Sequence, residues 1–482
     1  MTVQAISFLT FLLLFLGVGI ASARKRQSTT EDYLVASRKV HPWLAALSSV
    51  ATNNSGFMFI GLAGFTYRAG IQGVWLQVGW VIGDYLAWQF VHGPVREISG
   101  RLDANSVPAL LSRDGKGNAR RLTAIITAVL TLFFLGGYAA AQLKAGATTL
   151  HSLFGWDMSV GAILGAVLVA AYCFSGGIRA SIWTDAVQSV VMLISLLVLI
   201  GVAAWQVGGP TEVAAQLERI DPELVMLAPT GASFGVALYL LGFVAGGLGA
   251  IGQPHILIRS MSIKSTADIK RARRVYFLWF IPFSILAVSV GLYARILLPD
   301  LMSTTTAAGV AATAENALPE MSQRLLPDLL VGLSLAGVFA ATLSTADSQL
   351  LSCSAAINQD LFPRWRDSYT ASKIGTLSLT GVALMIALTA REGVFELVLT
   401  AWSALGATIG PLIILRVLGI VPSNRTSAAM IVVGLATVFG WRAAGLSGGV
   451  YEVLPGMLLP ILLYGGLRLT GIEGERAVSS AS

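Results

Sequence analysis

The chain has 482 residues, of which 55% are hydrophobic and only 12% charged, with a mean hydropathy of +0.74. Soluble domains carry roughly 25% charged residues, so this composition leaves too little polar surface to meet water on all sides. It excludes a soluble globular fold and points to a lipid bilayer as the solvent. The net charge of +7 would by itself suit an acidic partner, but the distribution of the basic residues along the chain argues against nucleic acid.

Hydrocarbon about 30 Å thick needs ~20 apolar residues per helical crossing. Apolar segments of that kind are predicted at 3–22, 42–67, 73–95, 122–148, 157–176, 183–206, 232–257, 275–298, 327–356, 374–391, 395–418, 427–443 and 449–469. The first differs from a signal peptide because its basic cluster, Arg24, Lys25 and Arg26, follows the apolar run. It reads as a retained helix with its N-terminus outside.

With that orientation, 25 of the 32 Lys and Arg residues fall on the cytoplasmic side. Arg68, Lys144, Arg219, Arg295, Arg324, Arg391 and Arg442 are the rest. Such a bias is the ordinary topogenic signal of a multi-pass membrane protein. The expectation is a plasma or bacterial inner-membrane protein with thirteen helices and a cytoplasmic C-terminus. Two outer loops, 207–231 and 299–326, are long enough for amphipathic pieces or a lid. The tail of about a dozen residues leaves no room for a fused kinase or sensor module.

Three segments carry polar clusters at membrane depth. In the second, six of the ten residues from Leu47 to Gly56 bear hydroxyl or amide groups: Ser48, Ser49, Thr52, Asn53, Asn54 and Ser55. Irregular backbone at this depth is tolerated only against protein or a cavity. The cluster is therefore either an unwound turn that offers carbonyl oxygens to a small hard cation, or a polar helix–helix interface.

In the ninth segment Ala341, Ser344 and Thr345 stand at i, i+3 and i+4 and share a helix face. Two hydroxyls with a carbonyl one turn back make half of a cation cage, unless they bond back along their own helix. Asp347 lies about 300° round the helix from Ser344. As an ionisable residue within a membrane segment it marks function, with no partner evident.

The seventh segment ends in Gly246, Gly247, Gly249, Gly252, Gln253, Pro254 and His255, a helix break. It forms either part of a substrate site or a kinked helix end with Gln253 and His255 pairing near the cytoplasmic interface. Asp185, after Trp183 and Thr184, is expected at the cytoplasmic start of the sixth helix, where a carboxylate is either an ordinary stabilising choice or, near an inward vestibule, an attractor of cations. Asp84, Lys144 and Glu396 carry no assigned role. Cys173, Cys353 and the four histidines have no metal-ligand or disulfide spacing. No nucleophile–base pair suggests an enzyme, and no cofactor is called for apart from a coupling ion.

Taken together these blocks resemble the sodium:solute symporter family, most closely its sodium/proline branch. The resemblance rests on Ala46 to Gly56, on Gly252-Gln253-Pro254-His255 with Arg259 and Met261, on Ser344-Thr345 through Cys353, and on Ala401-Trp402 through Gly410-Pro411. Ser37-Arg38 and Trp183-Thr184-Asp185 add to it. It covers roughly residues 31 to 420.

The resemblance implies an all-α, leucine-transporter-like core. Its five-plus-five inverted repeat spans 42–206 and 232–418, with an extra helix at 3–22 and two peripheral helices within 427–469. Its implied partners are sodium and a small organic solute, with an amino acid such as proline the leading choice and a carboxylate, vitamin or sugar the alternatives. A proton carried by Asp347 or Asp185 is the rival coupling ion. Sodium ligands by resemblance are the carbonyls of Ala51, Asn54 and Ala341 and the hydroxyls of Ser344 and Thr345. Asn53, Ser55, Asp185 and Asp347 fall on the ion path, and Gly56, Gly246, Ala250, Gln253, Pro254 and Trp402 in the substrate pocket. The proline branch has Asp at the position of Asn53, and aromatic rings at those of Gly246 and Ala250. The missing rings imply a wider or different pocket.

Overall fold

The structure is a computed structural model that describes residues 2–114, 120–228, 232–302, 313–389 and 394–473. Lys116, Arg391 and Arg476, three of the residues in the charge bias, lie outside these. The elements are helical, apart from an isolated bridge between Val40 and Ile263. Among the described residues eight helices are long and apolar enough to cross a membrane, and a bent pair makes a ninth.

In chain order, α1 is Val3–Ser22 and α2 is Pro42–Asn53, with its proline in the first turn. A π turn, Phe57–Gly61, leads into α3, Leu62–Ala69, and α4 is Val74–Phe90. Arg121–Leu130 passes through a second π turn into α5, Gly136–Phe154.

The expected helices at 157–176 and 183–206 follow one another almost without a loop, as two helical stretches within α6, Met158–Val207, that meet at a kink. Fifty residues at 1.5 Å each make about 75 Å, more than twice the hydrocarbon thickness, so α6 has to turn within itself. It does so at Gly177, at φ 56° and ψ −143°. A Cβ there would stand 2.5 Å from the Tyr33 carbonyl oxygen, so glycine is required on both counts.

The bent pair is α7, Val236–Leu248, which runs through Gly249–Gly252 and turns by 59° into α8, Pro254–Ser262. Then come α9, Asp268–Leu297, α10, Asp328–Ala356, and α11, Tyr369–Thr389. The last three are α12, Val394–Val417, α13, Asn424–Ala443, and α14, Val453–Leu469. The two long loops contain short helices at Pro210–Ile220 and Ala317–Leu325, while 303–312 lies outside the described residues.

The centre of the bundle is α10, buried along nearly its whole length and packed on α1, α2, α5 and α6. Its polar stretch is thus shielded from lipid by protein, as such a stretch must be. At the end where the basic residues gather, they bind open helix-end and loop carbonyls. Arg38 donates to Ala104 O, Arg96 to Lys264 O and Arg26 to Ser175 O. Cations at carbonyl-rich helix ends are favourable, so these basic residues close the loops.

Close approach by small residues joins α4 to α7. A Cβ on Gly83 would meet Val244 O at 2.0 Å, and one on Gly247 would meet Trp80 O at 2.2 Å. Glycine faces of this kind let transmembrane helices touch backbone to backbone. Gly83→Ala is expected to destabilise the protein by about 1–3 kcal/mol through overpacking, read as a lower melting temperature in detergent. Gly136→Ala, with nothing within 4 Å, is the control. An equal effect of the two substitutions would overturn the close-packing account.

Candidate functional site

The site grows from the break in α2. Helical backbone ends at Asn53, and Asn54 takes φ −95° and ψ 75°. The α-helical ladder stops there, so carbonyls in the last turn of α2 lose intrahelical donors. The hydroxyls of α10 meet them. Ser344 Oγ lies 3.1 Å from both Ala51 O and Ala341 O. Thr345 Oγ1 lies 3.0 Å from both Thr52 O and Ala341 O.

Ala51, Ala341, Ser344 and Thr345 are therefore brought together as expected, and Thr52, not singled out from sequence, contributes a further carbonyl. Asn54 stands at the break, with its side chain turned back onto Val50 O at 2.8 Å. The spacing suits a small ion. Two oxygens at right angles about an ion some 2.4 Å away are ~3.4 Å apart, using the distance that similarly sized Ca²⁺ takes. The oxygens here need to part by only a few tenths of an ångström.

Beneath this group lies a knot of buried charge. Asp185 is not at a helix N-terminus, because α6 is continuous through it, and its carboxylate faces inward at 0% exposure. Arg259 of α8 reaches it at 3.2 Å and Asp347 of α10 at 3.9 Å. Asp347 thus gains the partner that its own helix could not reveal.

The guanidinium also donates to Ser181 Oγ at 2.8 Å, His255 O at 2.8 Å and Ser48 Oγ at 3.2 Å, and it contacts Ser348. Ser48 in turn donates to Asp185 at 2.6 Å and Ser181 to Asp347 at 2.9 Å. One fork-shaped cation, suited to several acceptors at once, ties α2, α6, α8 and α10 together. Thr52 Oγ1, 3.3 Å from Ser344 O and 3.4 Å from Asp185, links the knot to the carbonyl–hydroxyl group above it.

The proposed pocket residues fall on the other side of the break. Gly56 N–H donates to Gln142 at 2.9 Å, and Ser55 Oγ accepts from Tyr138 at 3.1 Å. Gln253 donates to Trp402 O at 3.1 Å, and the Trp402 indole donates to Gly246 O at 2.8 Å. Gln253 is therefore a tie between the α7–α8 bend and α12, and it does not pair with His255. Pro254 opens α8 at its first position, where a missing N–H costs nothing. Buried polar atoms without partners collect here: Gln142 Nε2, Gln253 Oε1 and both His255 ring nitrogens. Unsatisfied buried groups of this kind cost about 1–3 kcal/mol each and mark where a polar ligand or water fits.

The wider or different pocket expected from Gly246 and Ala250 gains no width at these two positions. Ala250 is fully buried, and a Cβ on Gly246 would meet Trp80 Nε1 at 2.6 Å and Tyr451 Cε1 at 2.9 Å. Rings from α4 and from the turn before α14 fill the space. Phe57, Trp80 and Trp402 form one stack, with centroids 5.4 and 5.3 Å apart.

Asn53 points away from the hydroxyl pair. Its amide donates to Tyr276 Oη at 2.6 Å and to Asp84 at 3.2 Å, and Tyr276 donates to the same carboxylate oxygen at 2.6 Å. Asp84 therefore belongs to the α2–α4–α9 interface. Tyr138, Gln142, Trp80 and Ser181 were also missed. No local pattern distinguishes them, because each meets its partner only across helices.

A helical membrane bundle in which a broken helix presents carbonyls to a hydroxyl pair on a crossing helix is the architecture of a secondary transporter with a leucine-transporter-like core. A solved structure described as the substrate-bound outward-open state of a Na⁺-coupled sialic acid symporter matches 99% of each chain, with a TM-score of 0.80 at 18% identity. Among curated proteins, the sodium/proline symporter of Escherichia coli (strain K12) is 30% identical, covering 95% of this chain and 91% of its own. The high-affinity proline transporter PutP of Bacillus subtilis (strain 168) is 28% identical, covering 91% and 92%. The sodium:solute symporter family model matches residues 33–430, and the chain belongs to that family.

Proposed function

We propose that the protein carries proline, or a close zwitterionic relative, together with sodium by alternating access. The reading rests chiefly on the meeting of Ser344 and Thr345 with the carbonyls of Ala51 and Thr52 at the break in α2. The similarity to sodium/proline symporters supports the choice of solute.

Sodium entering between α2 and α10 would replace these hydrogen bonds, with Ala341 O and the Asn54 carbonyl as further ligands, and would order the break. Solute would then bind beside Gly56, Gln142, Gln253 and Trp402. The aromatic stack of Phe57, Trp80 and Trp402 closes the outer side, and the Arg259 knot closes the inner side. Opening inward separates α8 from α6 and α10. In this scheme 42–206 and 232–418 are the two inverted repeats, within thirteen crossings and with the N-terminus outside. Asp185, Asp347, Asn53 and Ser55 flank the ion's route.

One sodium ion moving down about 100 mV releases ~2.3 kcal/mol. At ~1.4 kcal/mol per decade that supports roughly fifty-fold accumulation before the sodium gradient adds more. The test is uptake of labelled proline by proteoliposomes with sodium or choline outside at one pH. Uptake that needs sodium is expected. Uptake that ignores sodium and follows a proton gradient would overturn the coupling ion, and the absence of proline uptake beside sodium-driven uptake of another solute would overturn the substrate.

A further inference from the structure

Arg416, in the last turn of α12, is a guanidinium 3% exposed. Its Nη2 donates to Arg113 O at 2.5 Å. Its Nε and Nη1 have no hydrogen-bond partner among the described residues, and none of the ion pairs among those residues includes it. The neighbouring segment 115–119, outside the described residues, contains no Asp or Glu. A charge buried in this way is costly unless something of opposite sign pairs with it.

Arg416 forms a wall of two cavities. One, of about 260 Å³, lies between it and Glu97, Arg101 and Leu102. Glu97 and Arg101 are exposed, so this cavity meets water. The other is a void of about 10 Å³ between the end of α12 and the start of α13. It is lined by Arg416, Arg120, Thr123 and Ser427 and by apolar side chains that include Leu412 and Pro422.

The polar groups of the void are donors short of acceptors. The Ser427 hydroxyl, on a residue 1% exposed, has no partner among the described residues. Thr123 is engaged elsewhere, its N–H and hydroxyl both donating to Asn424 Oδ1 at 3.2 and 2.8 Å. Among the described residues no carboxylate lines the void. Glu473, which caps α13, accepts from the Ser423 N–H and the Thr426 hydroxyl.

Two guanidinium groups, a hydroxyl and the N-terminal end of a 20-residue helix therefore converge on one space that favours negative charge. Its size selects the anion. Roughly 10–15 Å³ is room for one water-sized sphere, which suits a monatomic ion and is too small for phosphate, sulfate or a lipid headgroup.

We propose that this void binds a monatomic anion of the halide type, held by Arg416 Nε and Nη1 and by the Ser427 hydroxyl, with the cavity beside Arg101 as its approach from water. The ion neutralises Arg416 and fastens the end of α12 to the start of α13. Arg416 stands about 21 Å along α12 from Trp402, at 1.5 Å per residue, so the anion site is separate from the solute pocket and does not rest on the symport reading.

The test measures radiolabelled chloride binding and melting temperature on the purified full chain, at fixed sodium and ionic strength, with gluconate as the reference anion. Chloride and bromide are expected to raise the melting temperature, as ligands of the folded state do, whereas phosphate and sulfate are not. Arg416→Gln is expected to abolish chloride binding, and in gluconate it should melt no lower than wild type, because the uncompensated charge is gone. Ser427→Ala, which keeps the charge, should weaken chloride binding about tenfold.

Chloride stabilisation that survives both Arg416→Gln and Ser427→Ala would overturn the site. Stabilisation by phosphate or by anionic phospholipid, without any by chloride, would overturn the halide and move the ligand to the larger cavity. A melting temperature and a chloride binding signal that respond to no anion would overturn the proposal outright.

Discussion

Arg259→Gln is expected to remove the folded protein or lower its melting temperature more than any other single change at the site. The side chain is fully buried and faces two fully buried carboxylates, Asp185 at 3.2 Å and Asp347 at 3.9 Å. Removing one partner of a buried ion pair typically costs about 3–5 kcal/mol, because the remaining charge has no water to turn to. Here two carboxylates would be left facing hydroxyls in place of a cation, among them those of Ser48, Thr52, Ser181 and Ser348.

Arg259→Lys is expected to recover part of the loss, since an ammonium keeps the charge but lacks the planar fork that reaches several acceptors. The triple change Arg259→Gln, Asp185→Asn, Asp347→Asn should restore folding by removing the unpaired charge, yet leave uptake defective, because the inner closure is gone. Melting temperature and uptake measured side by side separate the two roles. Wild-type stability and uptake in Arg259→Gln would refute the closure assigned to this knot.

Ser344→Ala and Thr345→Ala should each raise the sodium concentration for half-maximal uptake by about tenfold or more. A hydrogen bond or ligand contact to a charged group is worth about 1.5–3 kcal/mol, and each hydroxyl is one of two on the α10 side of the gap. The two effects should not add, because both hydroxyls sit over the same Ala341 carbonyl, 3.1 and 3.0 Å away, and neighbours that share a partner are coupled. Ser344→Thr and Thr345→Ser keep the hydroxyls and should stay near wild type. Ser352→Ala, two turns further along α10, serves as control. An unchanged sodium requirement in both alanine variants would remove these side chains from the cage.

Legibility of the site followed the range of each interaction. The hydroxyl pair on α10 was legible because i, i+3 and i+4 define one face within one helix. The break at Asn54 was legible because six polar groups in ten residues have no place in an unbroken lipid-facing helix. Asn53 was legible by type, but its orientation is set by Tyr276, 223 residues away in sequence. Asp185 was read as a helix-end residue because a segment was expected to start at 183, whereas helix resumes directly after Gly177 and Asp185 lies about two turns inside it. Gly246 and Ala250 implied lost rings, and the space at Gly246 is filled instead by Trp80 of α4 and by Tyr451 from the turn before α14.

The sequence by itself determined the solvent, the apolar segments and the family. Hydropathy, helical period and the placement of Lys and Arg are local properties, enforced by the cost of leaving backbone or charge in hydrocarbon. Only the tertiary structure decided that Arg259 serves two aspartates and that Thr52 joins Ala51 in facing the hydroxyls. Those pairings join residues from separate helices, and helical period constrains the face a residue occupies without choosing which other helix meets it. That choice came from close packing at Gly83, Gly177 and Gly247, where the absence of a side chain allows one backbone to rest against another.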